Sequence, residues 1–498
     1  MNRGDTIAAL ATGSGGAIAM VRVSGGDAIA VCDAIFMGAS SAPVSSRGSS
    51  ALSEAAGYTL HYGRIVEGER VLDDVVVSVF RAPRSYTGED MVEISCHGSS
   101  YITSEILKLL IRSGARAAEA GEFTVRAFMG GKIDLSQAEA VADMIASRDR
   151  AAHALASNQM RGGYSADFSS LRGRLLELVS LLELELDFGE EDVEFASRGE
   201  LSVVVSEISG RIARLLDSFG VGNAIKEGVA VAIVGATNVG KSTLLNTLLR
   251  DDRAMVSDIA GTTRDVIEER LVIDGVAFRL IDTAGMRSTD DVLEQMGIQR
   301  TISSLRRANI VLLMVDGTTL ESASMAPASV SAAAPVVSAR TDASASASGR
   351  DAAVSTLRQT IDFLSLSPDQ QLGVVVNKSD IFRPDYAALE SELGYEVMGI
   401  SAKTGEGIER LTAFLSRQVD SGAVYSGDTV LSNSRHYEAL HSAGEALRRV
   451  AAGLDDGLAA DLLSHDIREA LYHIGTITGE ITTDEILGSI FSKFCIGK

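Results

Sequence analysis

The sequence has 498 residues but only three cysteines, which lie far apart at Cys32, Cys96 and Cys495. This spacing excludes a disulfide framework and a zinc site built from cysteines. It is compatible with a single reactive thiol. No apolar run approaches the roughly 20 residues that a helix needs to span a bilayer, and the N-terminus lacks the charged and then apolar pattern of a signal peptide. These absences predict a cytoplasmic protein that does not enter a membrane.

Positive charge is also scarce, since the formal net charge is -22. Such a charge argues against a protein that holds nucleic acid mainly through its own basic surface, so an RNA partner would need a local patch or a basic co-subunit. Lysine supplies only eight of the 45 basic residues. A lysine among so many arginines is a candidate for a site that needs a compact, flexible ammonium group.

Length and residue patterning predict a multidomain α/β protein of about three domains. Residues 1–120 mix short alternating strands with a helix, which predicts an α+β domain. Helical periodicity dominates residues 121–220 and returns over 422–498. Residues 221–421 alternate strand and helix, as in a doubly wound, mostly parallel sheet, and a low-complexity segment at 318–350 is interpreted as a disordered insertion of unreadable purpose. The simplest architecture is one helical bundle domain, built from both helical segments, with the α/β domain inserted into it.

A phosphate-binding loop follows the apolar run from Val229 to Val234. Its residues are Gly235-Ala236-Thr237-Asn238-Val239-Gly240-Lys241-Ser242-Thr243. The two glycines let backbone N–H groups point at a phosphate, Lys241 reaches the outer phosphates, and the Ser242 hydroxyl suits Mg2+. Because a strand precedes this loop and a helix is expected after it, the sequence predicts a Ras-like P-loop domain.

Three later motifs follow further predicted strands and select the nucleotide. The carboxylate of Asp282-Thr283-Ala284-Gly285 suits the Mg2+ shell, and its glycine amide suits the γ-phosphate. In Asn377-Lys378-Ser379-Asp380 the last carboxylate can accept both the ring N–H and the amino group of guanine, and adenine presents neither there. Ser401-Ala402-Lys403 would cover the guanine O6 with a backbone amide. The order of these motifs predicts GTP, and Lys241, Lys378 and Lys403 account for three of the lysines.

The hydrolytic device differs from that of Ras-like switches, which place a glutamine where this chain has Met286. The switch segment runs from Ser257 to Asp265, and the hydroxyl of Thr263 suits Mg2+. Asn238, with backbone oxygens of the switch segment, would hold a monovalent cation beside the phosphates in place of an arginine finger. Glu294 is then the candidate for orienting water, although a plain surface carboxylate is the commoner interpretation of such a residue.

The sequence contains three polar clusters, and each allows two interpretations. Ser85 to Asp90 with Glu93 is either a turn or part of a site, and Cys96-His97-Gly98 is either a satisfied core histidine or part of a site. The acidic stretch from Gly189 to Glu194 is more simply a solvated loop than a metal site.

Short motifs spread over nearly the full length belong to one set. They are Asp5-Thr6-Ile7, Val21-Arg22-Val23-Ser24-Gly25, Ser85 to Asp90 with Glu93, His97-Gly98, Gly121-Glu122-Phe123-Thr124, Gly131-Lys132-Ile133-Asp134-Leu135, Asn238 with Gly240-Lys241-Ser242, Gly261-Thr262-Thr263-Arg264-Asp265, and Phe494-Cys495-Ile496-Gly497-Lys498. In this set the chain resembles the MnmE (TrmE) family of tRNA modification GTPases.

The resemblance implies an N-terminal domain that forms a homodimer and binds a one-carbon tetrahydrofolate, in the 5-formyl or 5,10-methylene form. It also implies a GTPase domain that is activated by potassium and by dimerisation across its nucleotide face. With the FAD-containing protein MnmG (GidA), in a hetero-oligomer, such a chain modifies carbon 5 of the wobble uridine of certain tRNAs. The tRNA is then expected to be held mainly by the partner.

The resemblance also assigns residues. For folate they are Arg22, Glu93, Lys132 and Lys498; for Mg2+ they are Ser242 and Thr263; for potassium they are Asn238, Ser257, Ile259 and Thr262. The guanine-nucleotide contacts are Asn238, Val239, Gly240, Lys241, Ser242, Thr243, Ser257, Asp258, Ile259, Ala260, Gly261, Thr262, Thr263, Asp282, Thr283, Ala284, Gly285, Asn377, Lys378, Asp380, Ser401, Ala402 and Lys403. Glu294 receives the hydrolytic role, and Cys495 is either a nucleophile or a packed residue.

The chain departs from the family pattern at the turn from Thr12 to Gly16, where a proline and a longer glycine run are usual. Thr237 and Ser257 replace a proline and a threonine. One alternative function is an RNA-binding GTPase switch in ribosome assembly, which should have a basic RNA-binding module that this acidic chain lacks. Another is a nucleotide-gated scaffold whose folate site has decayed.

Overall fold

The computed structural model describes residues 4–13, 15–39, 52–187, 198–250, 269–281, 305–320, 349–419, 428–492, 494 and 497. The chain divides into two compact units. The first unit comprises Met1–Ala146, Ala156–Ile212 and Glu438–Lys498, and the second comprises Ser147–Leu155 and Ala213–Tyr437. The domain boundaries proposed at residues 120, 220 and 421 stay predictions.

The first unit contains a seven-stranded sheet in the order β3-β4-β5-β6-β2-β1-β7. Its strands are β1 (Ile7–Leu10), β2 (Ile18–Ser24), β3 (Phe36–Gly38), β4 (Thr59–Glu67), β5 (Arg70–Phe80), β6 (Met91–His97) and β7 (Arg116–Ala117). Neighbouring strands are antiparallel, except that β7 runs parallel to β1. Its helices α1 (Ala28–Asp33) and α2 (Ser100–Arg112) complete the predicted α+β pattern, and α3 (Glu122–Met129) follows in the stretch predicted as helical.

One face of this sheet forms the core because buried residues alternate along its strands. Val75, Val77 and Val79 of β5 are buried, and so are Ile106 and Leu110 of α2, which belong to the same apolar cluster. The residues between them on each strand point to the opposite face. That opposite face bears the polar residues from which the N-terminal site is built.

Long helices supply the rest of the first unit's core. The helices in this part of the chain are α4 (Leu135–Ala146), α5 (Arg150–Met160), α6 (Gly163–Asp187) and α7 (Arg198–Glu227). In α6 the predicted stripe of Leu171, Leu175, Leu178 and Leu182 is buried, as the helical period requires. The acidic stretch from Gly189 to Glu194 lies outside the described residues.

The second unit contains a six-stranded sheet in the order β13-β12-β11-β8-β10-β9. Its strands are β8 (Val229–Val234), β9 (Glu269–Ile273), β10 (Val276–Ile281), β11 (Ile310–Asp316), β12 (Gln371–Asn377) and β13 (Glu396–Gly399). Helices α8 (Lys241–Arg250), α9 (Gly349–Leu364), α10 (Tyr386–Leu393) and α11 (Ile408–Arg417) alternate with them, and the chain continues to α12 (Ser434–Asp455), α13 (Ala460–Thr478) and α14 (Asp484–Phe491). Five strands are parallel, which confirms the predicted doubly wound, mostly parallel sheet.

The sixth strand, β9, runs antiparallel to β10 and was not predicted from the sequence. The two strands form a hairpin through Asp274 and Gly275, whose φ angles are 50° and 82°. Positive φ at both central residues is the requirement of the tight turn that Asp-Gly pairs favour. This dipeptide was therefore a usable pattern that the sequence analysis overlooked.

Most of the predicted insertion lies outside the described residues, which stop at 320 and resume at 349. The helix α9 begins at Gly349, within the segment interpreted as low-complexity. In the described ranges, no helix combines the length and apolar character needed to cross a bilayer.

Candidate functional site

The phosphate loop joins β8 to α8 at the carboxyl edge of the parallel strands. Gly235 and Gly240 have φ angles of 155° and 103°. A Cβ atom would lie 2.2 Å from the carbonyl oxygen of Met314 at the first position, and 2.2 Å from Nδ2 of Asn377 at the second. Only glycine fits at either position, because both the backbone conformation and the space exclude a side chain.

Lys241 begins α8 and its ammonium lies over this loop. Its Nζ donates to the carbonyl oxygens of Gly235 and Ala236, both at 2.7 Å. Burial lowers the pKa of Lys241. Ser242 and Thr243 follow in the exposed first turn of α8, where unpaired backbone N–H groups favour an anion.

Asn377 links the phosphate loop to the base-recognition loops. Its Nδ2 donates to the carbonyl oxygen of Val239 at 2.7 Å, and its Oδ1 accepts from the backbone N–H of Ala402 at 2.9 Å. The hydroxyl of Thr247 in α8 donates to the carbonyl oxygen of Ala402 at 2.7 Å. Because Asn377 is buried, both ends of its amide depend on these partners.

The predicted base-recognition residues lie after β12 and β13. Lys378 has a left-handed backbone, with φ 67°, and Asp380 is exposed. Ser401 and Ala402 are buried, whereas Lys403 is exposed. The carboxylate of Asp316, at the end of β11, pairs with Nζ of Lys378, and the sequence analysis missed this partner.

Several predicted site residues lie outside the described part of the chain, and their roles stay predictions. They are Ser257, Asp258, Ile259, Ala260, Gly261, Thr262, Thr263, Asp282, Thr283, Ala284, Gly285, Glu294, Cys495 and Lys498.

The N-terminal site is built around a guanidinium group on the outer face of the first sheet. Arg22 of β2 and Glu93 of β6 are opposite each other in the strand register. The Nε and Nη2 atoms of Arg22 donate to Oε1 of Glu93 at 2.9 and 2.7 Å. The guanidinium carbon lies 5.4 Å from the ring centroid of Tyr86 and 5.7 Å from that of Phe123. Arg22 is therefore held by one carboxylate and two aromatic rings.

The end of the chain lies against this arginine. The carbonyl oxygen of Gly497 is 3.4 Å from Nη1 of Arg22. Gly497 has φ 98°, and a Cβ atom there would lie 2.1 Å from the carbonyl oxygen of Leu10, so the tail packs directly on β1. Phe494 is buried, and its ring packs at a tilt against that of Phe491 with a centroid distance of 5.3 Å. This packing places the backbone of Gly497 near Arg22.

Lys132 lies on the other side of the loop that contains Tyr86. Its Nζ donates to the carbonyl oxygen of Pro83 at 2.9 Å. A Cβ atom at Gly88 would lie 3.4 Å from the Lys132 stem. The structure thus brings Arg22, Glu93 and Gly497 together, and it joins Lys132 to them only through this loop.

A network of charged side chains contacts the loop that contains Tyr86. Arg126 donates to Asp5 Oδ1 at 2.7 Å, to Glu122 Oε1 at 3.1 Å and to Glu89 Oε2 at 3.1 Å. Arg116 donates to Asp5 Oδ2 at 2.7 Å and also pairs with Glu122. Burial alone would raise the pKa of Glu122, but the bonds from Arg116 and Arg126 outweigh burial and lower it. Glu122 therefore stays charged, and Arg126 fixes Glu89 at the base of the loop.

The structure contradicts one of the two interpretations of His97, that of a satisfied core histidine. Its side chain is 70% exposed, and its Nδ1 lies 2.7 Å from Oδ1 of Asp73. The other carboxylate oxygen of Asp73 accepts the backbone N–H of His97 at 2.8 Å. His97 is the last residue of β6, and its ring lies at the end of that strand, outside the core.

Two family models cover the chain. The model described as the GTP-binding protein TrmE N-terminus matches residues 6–132, and that of the MnmE helical domain matches residues 135–495. The chain belongs to the MnmE family. These matches agree with the resemblance inferred from the short motifs.

Curated MnmE proteins are similar over their whole length. The protein of Christiangramia forsetii is 46% identical over 508 residues, and the match covers 100% of both chains. That of Bacteroides thetaiotaomicron is 48% identical over 501 residues, with 99% of each chain covered. Both are named tRNA modification GTPase MnmE. The prediction of a GTP hydrolase that takes part in tRNA modification is confirmed at this level.

Among solved structures, the FeoB G-domain of Methanococcus jannaschii matches 38% of this chain and 96% of its own. Its sequence identity is 22% and its TM-score is 0.24.

The phosphate loop generates a steric prediction. Gly240→Ala would bring a methyl group against Nδ2 of Asn377, so we expect the affinity for GDP to fall at least about tenfold, the equivalent of one lost hydrogen bond to the phosphate loop. Titration with a fluorescent methylanthraniloyl-GDP measures it. Gly394→Ala is the matched control, because Gly394 has φ 77° but nothing within 4 Å of its added Cβ. Equal affinities of both variants would contradict the steric argument.

Proposed function

We propose that this chain is a potassium-activated GTP hydrolase that, with an FAD-containing partner, modifies carbon 5 of the wobble uridine of certain tRNAs with a one-carbon unit from tetrahydrofolate. The observation that supports this function best is the Arg22 and Glu93 pair, which lies between two aromatic rings and against the end of the chain. A GTPase switch that only binds ribosomal RNA has no use for such a site. The proposal therefore rests on two sites of different chemistry in one chain.

Tetrahydrofolate has a chemistry that suits the N-terminal residues. Its pterin ring presents a ring N–H beside an amino group, as guanine does, and a carboxylate can accept from both. Both bonds from Arg22 end on Oε1 of Glu93, which leaves Oε2 for a ligand. The glutamate tail of folate is anionic, and three of the residues assigned to folate, Arg22, Lys132 and Lys498, are cations. The rings of Tyr86 and Phe123 add apolar walls beside the guanidinium.

In the nucleotide site, the exposed Ser242 hydroxyl fits a ligand of Mg2+, and Thr263 is its proposed second ligand. Asn238 fits a potassium ligand because it lies in the exposed loop with φ 63°, a conformation that asparagine tolerates better than most residues. Ser257, Ile259 and Thr262 would supply the remaining oxygens. A cation bound there adds positive charge beside the phosphates, and Glu294 is proposed to orient the attacking water.

A homodimer is proposed to cover the outer face of the first sheet. The strand register aligns Leu60, Ser78, Glu93 and Arg22 in one row across four strands. Leu60 is 71% exposed, and Tyr62, its neighbour on the same face, is 62% exposed. Large exposed apolar side chains that cluster on one sheet face are typical of a covered surface. A second copy of the chain is the proposed cover, and the FAD-containing MnmG protein and the tRNA are proposed to bind elsewhere.

Folate binding tests the proposed function. Isothermal titration of the purified protein with 5-formyl-tetrahydrofolate should show saturable binding, and Arg22→Met should weaken it by at least about tenfold because a charge-assisted contact is lost. Arg64→Met is the matched control, since Arg64 is an exposed arginine of the same sheet that pairs with Asp74. Absence of saturable binding to the wild type would favour the scaffold whose folate site has decayed. Equal affinities of the Arg22 variant and the wild type would refute the assigned position.

Potassium dependence tests the proposed hydrolytic device. We expect GTP hydrolysis to be faster in K+ than in Na+ at the same ionic strength, because the cation proposed to bind beside Asn238 is potassium. Asn238→Ala should remove this difference, because the proposed side-chain ligand of the cation is lost. Initial rates of phosphate release measure both effects. Equal wild-type rates in the two salts would refute the cation hypothesis and leave GTP binding intact.

A further inference from the structure

The ion pair between Asp316 and Lys378 lies at the edge of the nucleotide site and has no assigned role. Asp316 ends β11 and is opposite Asn377 in the register with β12. Its Oδ2 accepts from Nζ of Lys378. Its Oδ1 accepts from the backbone N–H of Thr318 at 3.0 Å and from the Thr318 hydroxyl at 2.7 Å. Both oxygens are thus engaged, which fixes the orientation of the carboxylate.

The backbone around this pair is also constrained. Lys378 has φ 67°, a conformation that lysine rarely adopts. Its carbonyl oxygen accepts the N–H groups of Ile381 and Phe382 at 2.9 and 3.1 Å. A Cβ atom at Gly317 would lie 2.9 Å from the carbonyl oxygen of Asn377, so the two loops are in close contact. The constrained backbones of these two loops therefore hold the carboxylate of Asp316 and the ammonium of Lys378 next to each other.

We propose that Asp316 is a positioning residue that orders the Lys378 side chain for the guanine base. This inference rests on the proposed assignment of Lys378 and Asp380 to the nucleotide. A lysine stem has several rotatable bonds, and its ordering costs rotamer entropy if it occurs only on binding. A pinned ammonium orders the stem beforehand and presents its methylene groups as an apolar edge beside a planar base.

The pairing has two further consequences. The pKa of Asp316 is lowered, because the bonds from Lys378 and Thr318 outweigh the opposite effect of burial. The carboxylate therefore remains charged at neutral pH. Because Asp316 acts through Lys378, it affects how tightly the base is held. We assign it to the base and not to the phosphates, so we expect the chemical step to be spared.

The test is a double-mutant cycle on the full-length protein, measured as the dissociation constant of methylanthraniloyl-GDP and as kcat and KM for GTP. Asp316→Asn keeps the acceptor for Thr318 and removes the charge that holds Lys378. We expect its GDP dissociation constant and its KM to rise on the order of tenfold, with kcat within about twofold. Lys378→Met should show a similar loss, and the double variant should lose no more than either single variant. Asp316→Glu, which retains the charge, should recover most of the affinity.

Two controls separate positioning from a general structural effect. Asp385→Asn makes the same chemical change at the N-terminus of α10, where asparagine caps as well as aspartate, and should bind GDP like the wild type. Thermal unfolding shows whether Asp316→Asn folds; if it does not, Asp316→Glu and Lys378→Met still test the pair. Wild-type GDP affinity of Asp316→Asn, or additive losses in the double variant, would overturn the inference.

The proposed role of Asp380 in guanine recognition can be tested independently of the role of Asp316. Asp380→Asn should shift the preference from GDP toward XDP. If it does not, the proposed guanine site itself is wrong, whereas a shift together with unaltered binding by Asp316→Asn contradicts only the role of Asp316.

Discussion

The side-chain amide of Asn377 is the interaction on which the nucleotide site depends. It joins the phosphate loop at Val239 to the loop at Ala402, and it is buried so that neither bond can be replaced by water. It also explains why position 240 is glycine, since the amide nitrogen occupies the space that a Cβ atom would need. The parallel sheet supplies this arrangement because the carboxyl ends of β8, β12 and β13 meet at one edge.

The first unit obtains its site from a different constraint, the antiparallel register. Arg22 and Glu93 lie opposite each other because β2 and β6 pair in that register, and a slip of one residue would send both side chains to the opposite face. The loop around Tyr86 and the tail at Gly497 then close over the guanidinium. Each unit therefore contains its own polar site, the phosphate loop in the second unit and the Arg22 and Glu93 pair in the first. The proposed function needs both.

Local pattern was sufficient for much of this structure. The phosphate loop, the strands before it and after it and the leucine stripe of α6 follow from residues that are neighbours in sequence. The strand β9 was missed, although the pair Asp274 and Gly275 is typical of a hairpin turn. The two interpretations of His97 could not be separated from the sequence, because the partner Asp73 lies on another strand. Asp316 was missed since it reads as the polar end of an apolar run, and its partner is 62 residues away. The pairing of Arg22 with Glu93 needed the strand register, which no local pattern contains, so only the family resemblance pointed to it.

The central claim is that the nucleotide site and the Arg22 site serve one modification of tRNA. Mass spectrometry of wobble uridines, in tRNA from cells whose only copy of this protein is the Arg22→Met variant, tests it most directly. The claim predicts that the aminomethyl-type group at carbon 5 is lost from the modified tRNAs, while the purified variant retains GTP hydrolysis and Arg64→Met cells retain the modification. Wild-type levels of the modification in Arg22→Met cells would contradict it.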